Sequence, residues 1–363
     1  MKILQVITSL YMGGAERLLL DMVPRYISHG IQVDILLFDG TDTPLKEQLS
    51  QKGVRIYCLA KGQSVYSPSF IKKLVPYLKR YDIIHTHLTA CQYFVALACV
   101  LYQIDVPLVT TEHSTRNRRR NIPMFFYLER WMYHRYKRII TISKETEIAL
   151  RQHLKQSIPF QTINNGIDLK RFKDASPLNE KISNFIICMV AAFREEKNQD
   201  TVIKAMALLP KDCYLWLVGD GPRKPLCEDL AKNINVSDRV KFLGIRSDVP
   251  SLLKSADIVV LSSHWEGFGL AAAEGMAAGK PVIASNVSGL SQVVGDAGLL
   301  FNPSDEHDLA SKILSLKEDK SLLIDTAMKC SQRANDFDIN VTVSKYIQVY
   351  QSVLNSSKNI LSV

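Results

Sequence analysis

The sequence has no run of about 18 apolar residues, the length a helix needs to cross a bilayer, so no transmembrane span is predicted. It has no Cys-x-x-Cys pair and no His/Cys spacing of the metal-ligating kind. Its seven cysteines stand scattered at 58, 91, 99, 188, 213, 227 and 330. An odd, scattered set argues against a disulfide framework or a metal site and reads as reduced thiols in a reducing compartment. Gly-x-Ser-x-Gly, Walker, zincin and kinase patterns are missing. The opening MKILQVITSLYMGGAER lacks the long apolar core and small-residue cleavage site of a secretory signal, and it reads as a first β-strand. A cytoplasmic protein is expected.

What is present suits two soluble domains. The chain has 363 residues, 47% of them hydrophobic and 22% charged, long for one domain and comfortable for two. Charge is unevenly placed. Residues 1–168 hold 22 Lys and Arg against 13 Asp and Glu, the whole net +9, whereas residues 169–363 hold 23 of each. Such asymmetry points to an anionic partner for the first half.

The first half alternates apolar runs with amphipathic segments. Strands are predicted at 2–7, 32–38, 54–59, 82–87, 107–111, 138–142 and 160–163, with helices at 15–29, 69–80, 90–102 and 144–155. The second half repeats this, with strands at 184–191, 214–218, 240–243, 257–261, 281–284 and 298–301 and a helix at 199–209. Strands apolar throughout and alternating with helices indicate parallel sheets covered on both faces. The predicted class is α/β, with two Rossmann-like doubly wound domains over 1–165 and 166–338. They would leave a cleft lined by the carboxyl ends of their strands. The amphipathic segment 339–363 has no strand left to follow and is expected to pack back on the first domain.

The strongest motif runs from Glu266 through Gly267, Phe268, Gly269, Leu270 and Glu274 to Gly279-Lys280-Pro281-Val282-Ile283-Ala284. Glycines just after a buried strand free several N–H groups to point at one spot at the start of a helix. Two carboxylates framing that spot can bind hydroxyls of a sugar and of a ribose, with phosphate on the amides between. A capped helix with two solvated glutamates is the competing reading. Arg194 and Lys197, three apart after another strand, are placed at the start of a helix where they can share a face and suit a diphosphate. A salt-bridged surface turn with Glu195 and Glu196 explains them equally well.

Gly13-Gly14 before a helix could admit an oxyanion or simply form a tight turn. His113, just past a strand, could hydrogen-bond a sugar hydroxyl from a neutral imidazole or be a structural histidine. His85 and His87 read as structural, and Asp336-Phe337-Asp338 lies away from any strand end. The segment 116–138 carries eight Lys/Arg, one acid and the aromatics Phe125, Phe126, Tyr127, Trp131, Tyr133 and Tyr136. It suits an anionic membrane surface better than nucleic acid, and some of its aromatics must be core.

Together, the Glu266…Glu274 motif, Gly13-Gly14-Ala15-Glu16-Arg17, Asn165-Gly166-Ile167-Asp168, Gly219-Asp220-Gly221-Pro222 and Phe242-Leu243-Gly244 resemble glycosyltransferase family 4. The likeness covers nearly the whole chain. It implies the GT-B fold, an acceptor-binding first domain, a donor-binding second domain, retention of anomeric configuration and no essential metal or cofactor. By the same resemblance Glu274 is the ribose-binding glutamate. Glu266 faces the donor sugar, with Gly267, Phe268, Gly269 and Leu270 at its hydroxyls and diphosphate. Arg194 and Lys197 stabilise the leaving diphosphate, His113 lies near the donor sugar, and Gly14 lies against the diphosphate. One departure is Ala192, where many members carry the arginine directly after a glycine; Arg194 is the candidate substitute. The implied activity is transfer from a nucleotide diphosphate sugar, most often a UDP-sugar, to a carbohydrate or lipid-linked acceptor of a surface-polysaccharide pathway, with possible peripheral attachment to the membrane. A non-hydrolysing sugar-nucleotide epimerase and an inactive nucleotide-sugar-binding protein are the rivals.

Overall fold

A computed structural model describes residues 1–11, 13–114, 122–155, 158–178 and 184–360. The chain forms two compact units, the first comprising 1–166 and 339–363 and the second 167–338.

The first unit is built on a seven-stranded parallel sheet. Its strands are β1 (Lys2–Ile7), β2 (Gln32–Asp39), β3 (Arg55–Ala60), β4 (Ile83–His87), β5 (Leu108–Glu112), β6 (Arg138–Thr141) and β7 (Phe160–Thr162). Their order is β3-β2-β1-β4-β5-β6-β7. Alternation of side chains explains why the strands are largely apolar. Ile3 and Ile7 enter a core shared with α1 (Gly14–Ser28), while Leu4 and Val6 enter the core on the other face with α3 (Ser69–Leu78) and α4 (Thr89–Leu101). Both faces are therefore covered, and the polar side chains that the strands carry, among them Gln5, His85 and His87, are buried with hydrogen-bond partners.

Helix α15 (Ile339–Ile360) belongs to the first core. Ile339, Val343, Tyr346, Tyr350 and Val353 are buried at helical spacing on one face. Tyr350 meets Tyr26 of α1 edge to face at 5.8 Å between ring centroids. Gly166 goes with this unit, one residue beyond the boundary expected from sequence. A Cβ there would lie 2.6 Å from Ile339 Cα, so only glycine lets the chain pass the first turn of α15.

The second unit has a six-stranded parallel sheet of β8 (Phe185–Val190), β9 (Cys213–Val218), β10 (Val240–Gly244), β11 (Ile258–Leu261), β12 (Val282–Ser285) and β13 (Leu299–Phe301). The order is β10-β9-β8-β11-β12-β13. Helices α8 (Gln199–Met206), α9 (Lys224–Asn233), α11 (Leu270–Ala277), α13 (Glu306–Glu318) and α14 (Lys320–Ala334) complete its layers. Each sheet reverses its order once, between β1 and β4 in the first and between β8 and β11 in the second. At such a point neighbouring strands send their following loops apart and leave a crevice at their carboxyl ends.

All seven cysteines are free thiols. Most are buried, but Cys58 on the edge strand β3 is exposed. Among the described residues no helix is long and apolar enough to cross a membrane.

Candidate active site

In the second unit two loops meet at the reversal point. One leaves β8 and runs from Ala191 to Asn198. The other leaves β11 and runs from Ser262 to Gly269. Because β8 and β11 are hydrogen-bonded neighbours, the two loops emerge side by side, and three bonds sew them together. Ser262 Oγ donates to the carbonyl of Asn198 at 2.7 Å and approaches that of Lys197 at 3.1 Å. The His264 N–H donates to the carbonyl of Glu196 at 2.8 Å. Ser285 Oγ, on β12, holds the second loop from behind through the carbonyl of Ser263 at 2.6 Å.

Across this seam Lys197 Nζ donates to Glu266 Oε2 in a partly buried ion pair. The other carboxylate oxygen of Glu266 accepts from the N–H of Gly267 at 3.3 Å. The loop then turns through Gly269, whose φ of +98° is left-handed and serves as the N-cap of α11. A Cβ at Gly269 would sit 2.6 Å from Leu290 Cδ2, inside a fully buried side chain. The sequence therefore needs glycine here for backbone conformation and for space. Helix α11 points its free amides toward the loop that carries Glu266, the arrangement that receives anions.

Glu274 lies half-buried in α11, one turn past its first residue, Leu270, which is itself half-buried. The Phe268 ring is 2% exposed and packs edge-on against Phe337 at 5.4 Å, so its backbone is the part left to bind. Arg194 differs from its expected place. It is exposed and extended (φ −129°, ψ 160°), outside a single 3-10 turn over Glu195–Lys197. The helical spacing that would align it with Lys197 is absent, because the turn begins after it. Asp336 pairs with Arg333 at 2.8 Å, and Phe337 fills the core, so Asp336-Phe337-Asp338 is a structural corner.

The glycines of Gly219-Asp220-Gly221 have a local reason. The loop after β9 lies against the loop after β8: Phe193 N–H donates to Asp220 O at 3.0 Å, and Arg223 N–H to Phe193 O at 3.0 Å. A Cβ on Gly221 would stand 2.5 Å from the carbonyl oxygen of Phe193.

In the first unit, Gly14 opens α1 directly after its N-cap Gly13, and α1 follows β1 at the other reversal point. His113 follows β5 and lies half-buried. Its Nε2 is 3.0 Å from His87 Nδ1, and His87 Nε2 is 2.8 Å from Gln5 Oε1. Burial pushes the His113 imidazole down to about 4 and that of His85 down to about 3; His87 is lowered as well, again by burial first. All three are neutral at physiological pH. His85 and His87 are core residues, and they also form the floor behind His113. The sequence gives a hint of this in their same-face spacing at a strand end, but none of the partnership with Gln5, which is far away in the chain. The serines at 262, 263 and 285 were equally silent, because nothing in their spacing says which carbonyl they reach.

Of the basic aromatic segment, residues 116–121 lie outside the described residues. The remainder forms α5 (Pro123–Tyr133) and the turn after it. Met132, Tyr133 and Tyr136 are core. Met124, Tyr127 and Leu128 are exposed, Tyr127 by 71%, and Arg130 and Arg135 lie over Phe126 and Trp131 at 5.1 and 5.6 Å.

Comparison with known proteins agrees with this architecture. Residues 12–171 match the model for glycosyltransferase family 4, and residues 170–337 match the model for glycosyl transferases group 1. The chain is 30% identical over 294 residues to the N-acetyl-alpha-D-glucosaminyl L-malate synthase of Bacillus anthracis, covering 77% of this chain and 76% of that one. It is 27% identical over 349 residues to the Escherichia coli UDP-Gal:alpha-D-GlcNAc-diphosphoundecaprenol alpha-1,3-galactosyltransferase, covering 88% and 89%. The crystal structure of Anabaena Alr3699/HepE in complex with UDP and glucose superposes with a TM-score of 0.86 at 24% identity, over 97% of this chain and 100% of that one. The chain belongs to glycosyltransferase family 4, with the GT-B fold of two Rossmann-like domains. It is an enzyme that transfers sugars.

Proposed function

We propose that the protein transfers a hexosyl group, with retention, from a UDP-sugar to a lipid-linked acceptor of a surface-polysaccharide pathway. The observation that carries this is the joined pair of Lys197 and Glu266 beside the start of α11, at the reversal point of the second sheet. The chemical difficulty of the transfer is the negative charge growing on the departing diphosphate. Lys197 meets it as a point charge, Arg194 reaches it from its exposed position just before that turn, and the amides of Phe268 to Leu270 supply fixed dipoles. These groups take the part a metal plays elsewhere, so no metal is required. Glu274 holds the ribose, Glu266 faces the sugar and orients Lys197, His113 hydrogen-bonds a sugar hydroxyl, and Gly14 lies against the diphosphate.

The acceptor assignment draws on the E. coli relative, whose name specifies a diphosphoundecaprenol-linked sugar. It also fits the exposed apolar residues of α5, next in sequence to the run Arg118-Arg119-Arg120, which suit an anionic lipid surface. The test is a mass-spectrometric screen of UDP-glucose, UDP-galactose and UDP-N-acetylglucosamine against polyprenyl-diphosphate sugars and free sugars. The expected result is one UDP-sugar consumed only with a lipid-linked acceptor, yielding an α-linked product. Conversion of a UDP-sugar to its epimer without any acceptor would overturn the proposal.

A further inference from the structure

Behind His113 the first unit buries a continuous run of polar side chains taken from four elements. Gln5 of β1 lies between α15 and β4. Its carboxamide N–H donates to Tyr350 Oη at 3.1 Å, and its Oε1 meets His87 Nε2 at 2.8 Å. His87 Nδ1 in turn meets His113 Nε2 at 3.0 Å. Gln5 and His87 are 1% and 2% exposed, so water does not substitute for these partners. A branch runs alongside: Tyr350 Oη to His85 Nδ1 at 2.7 Å, and His85 Nε2 to Thr111 Oγ1 at 2.9 Å.

A neutral imidazole has one N–H and one lone pair, and a carboxamide oxygen can only accept. The proton of His87 is therefore on Nε2, directed at Gln5. That leaves His87 Nδ1 as a lone pair, which must receive its proton from the neighbouring ring. The proton of His113 is then on Nε2, and His113 Nδ1 is bare. The branch agrees with this assignment. Tyr350, accepting from Gln5, has its own proton free for His85 Nδ1, and His85 Nε2–H then donates to Thr111.

We infer that Gln5 and His87 are positioning residues that fix His113 in its Nε2–H tautomer, so that Nδ1 presents a hydrogen-bond acceptor to a hydroxyl of the donor sugar. The sugar-facing half of this rests on the proposed contact between His113 and the donor; the tautomer does not. A sugar carrying a carboxylate at that place would meet a lone pair and bind poorly. Helix α15 enters the site at second hand, because its Tyr350 accepts the Gln5 carboxamide N–H.

The test is nitrogen-15 histidine spectroscopy of the full chain at about pH 7.5, where unperturbed histidine is largely neutral, with the His113 signals assigned by their loss in His113→Gln. The expected result is a protonated Nε2 and an unprotonated Nδ1 in the wild-type protein. In Gln5→Met, similar in size but without an acceptor oxygen, the two tautomers of His113 should mix. The kcat/KM for the best of UDP-glucose, UDP-galactose and UDP-N-acetylglucosamine should then fall about tenfold, the scale of one lost hydrogen bond. A His113 proton on Nδ1 in the wild-type protein overturns the inference without requiring any variant to fold. So does a Gln5→Met protein whose tautomer and kcat/KM are both unchanged. Full kcat/KM in His113→Ala removes instead the contact between His113 and the sugar, and the measured tautomer stands apart from it.

Discussion

Lys197 Nζ is hydrogen-bonded to Glu266 Oε2 across 69 residues of chain, from the loop after β8 to the loop after β11. Neither side chain is fully exposed, at 23% and 20%, and the backbones on either side are bound to one another through Ser262 and His264. The cation is thus held at a fixed place before any substrate arrives, which is the condition for electrostatic stabilisation without reorganisation.

Lys197→Ala should lower kcat by about a hundredfold or more, the scale of losing one preorganised charge-stabilising group. Stability should change little, by about 1 kcal/mol or less, since a partly exposed ion pair contributes weakly. Steady-state kinetics beside thermal melting separate the two effects. Near-normal turnover would remove Lys197 from the chemistry. In the same assay, EDTA should leave the wild-type rate unchanged, and loss of activity restored by a divalent cation would show that the diphosphate is neutralised by a metal after all.

Gly269→Ala should be more harmful than Gly279→Ala. Both glycines have positive φ, +98° and +76°, and an L-residue in the left-handed region costs about 1–2 kcal/mol. At Gly279 nothing lies within 4 Å of the added Cβ, whereas at Gly269 it would strike Leu290. The melting temperature of Gly269→Ala should drop by at least about 4 °C, with weakened donor binding, because the amides at the start of α11 are displaced. Equal melting temperatures for the two variants would contradict this account.

Stability should fall on mild acidification. Burial holds His85 near 3 and His113 near 4 in the folded protein, below the unfolded value of about 6.5. The unfolded chain therefore binds more protons between those values. The contribution is fully present above about pH 6.5 and is lost as pH falls toward 4, at up to about 1.4 kcal/mol per pH unit for each histidine. Urea unfolding at several pH values between about 7 and 5, before carboxylates titrate, reads this slope. It should be shallower in His113→Gln than in the wild-type protein; identical slopes would mean that His113 is not buried as a neutral ring.

The exposed face of α5 should carry the protein onto anionic vesicles. Flotation with vesicles rich in an anionic lipid should recover the protein, and neutral vesicles should recover less. Met124→Ser with Tyr127→Ser should reduce recovery, and about 0.5 M salt should reduce it further, because the Debye length shortens to a few ångströms. Failure to float with either kind of vesicle would discard the membrane contact.

Much of the architecture was legible in the sequence. Among the described residues all thirteen strands fall within a residue or two of the expected bounds at each end, because a parallel strand covered on both faces is largely apolar and stands out from the turns around it. The glycine-rich run after Glu266 was legible because glycine supplies the left-handed backbone that opens α11. The 3-10 turn at Glu195–Lys197 was not legible as such, since a basic residue before a short helix looks the same whether it lies inside the first turn or just outside it. The burial of the Phe268 ring was not legible either, because a motif marks which backbone approaches a ligand and does not say which way the ring turns.

By itself the sequence determined two α/β domains, the run of glycines and carboxylates at the start of α11, and the concentration of positive charge in the first half. Those follow from local periodicity, backbone conformation and composition, each read within a short window. Only the tertiary structure decided that Lys197 is joined to Glu266, and that Gln5, His87 and His113 form one hydrogen-bonded line. Each of those joins residues far apart in sequence, and a hydrogen bond has no signature in the chain until folding brings its donor and acceptor to within about 3 Å.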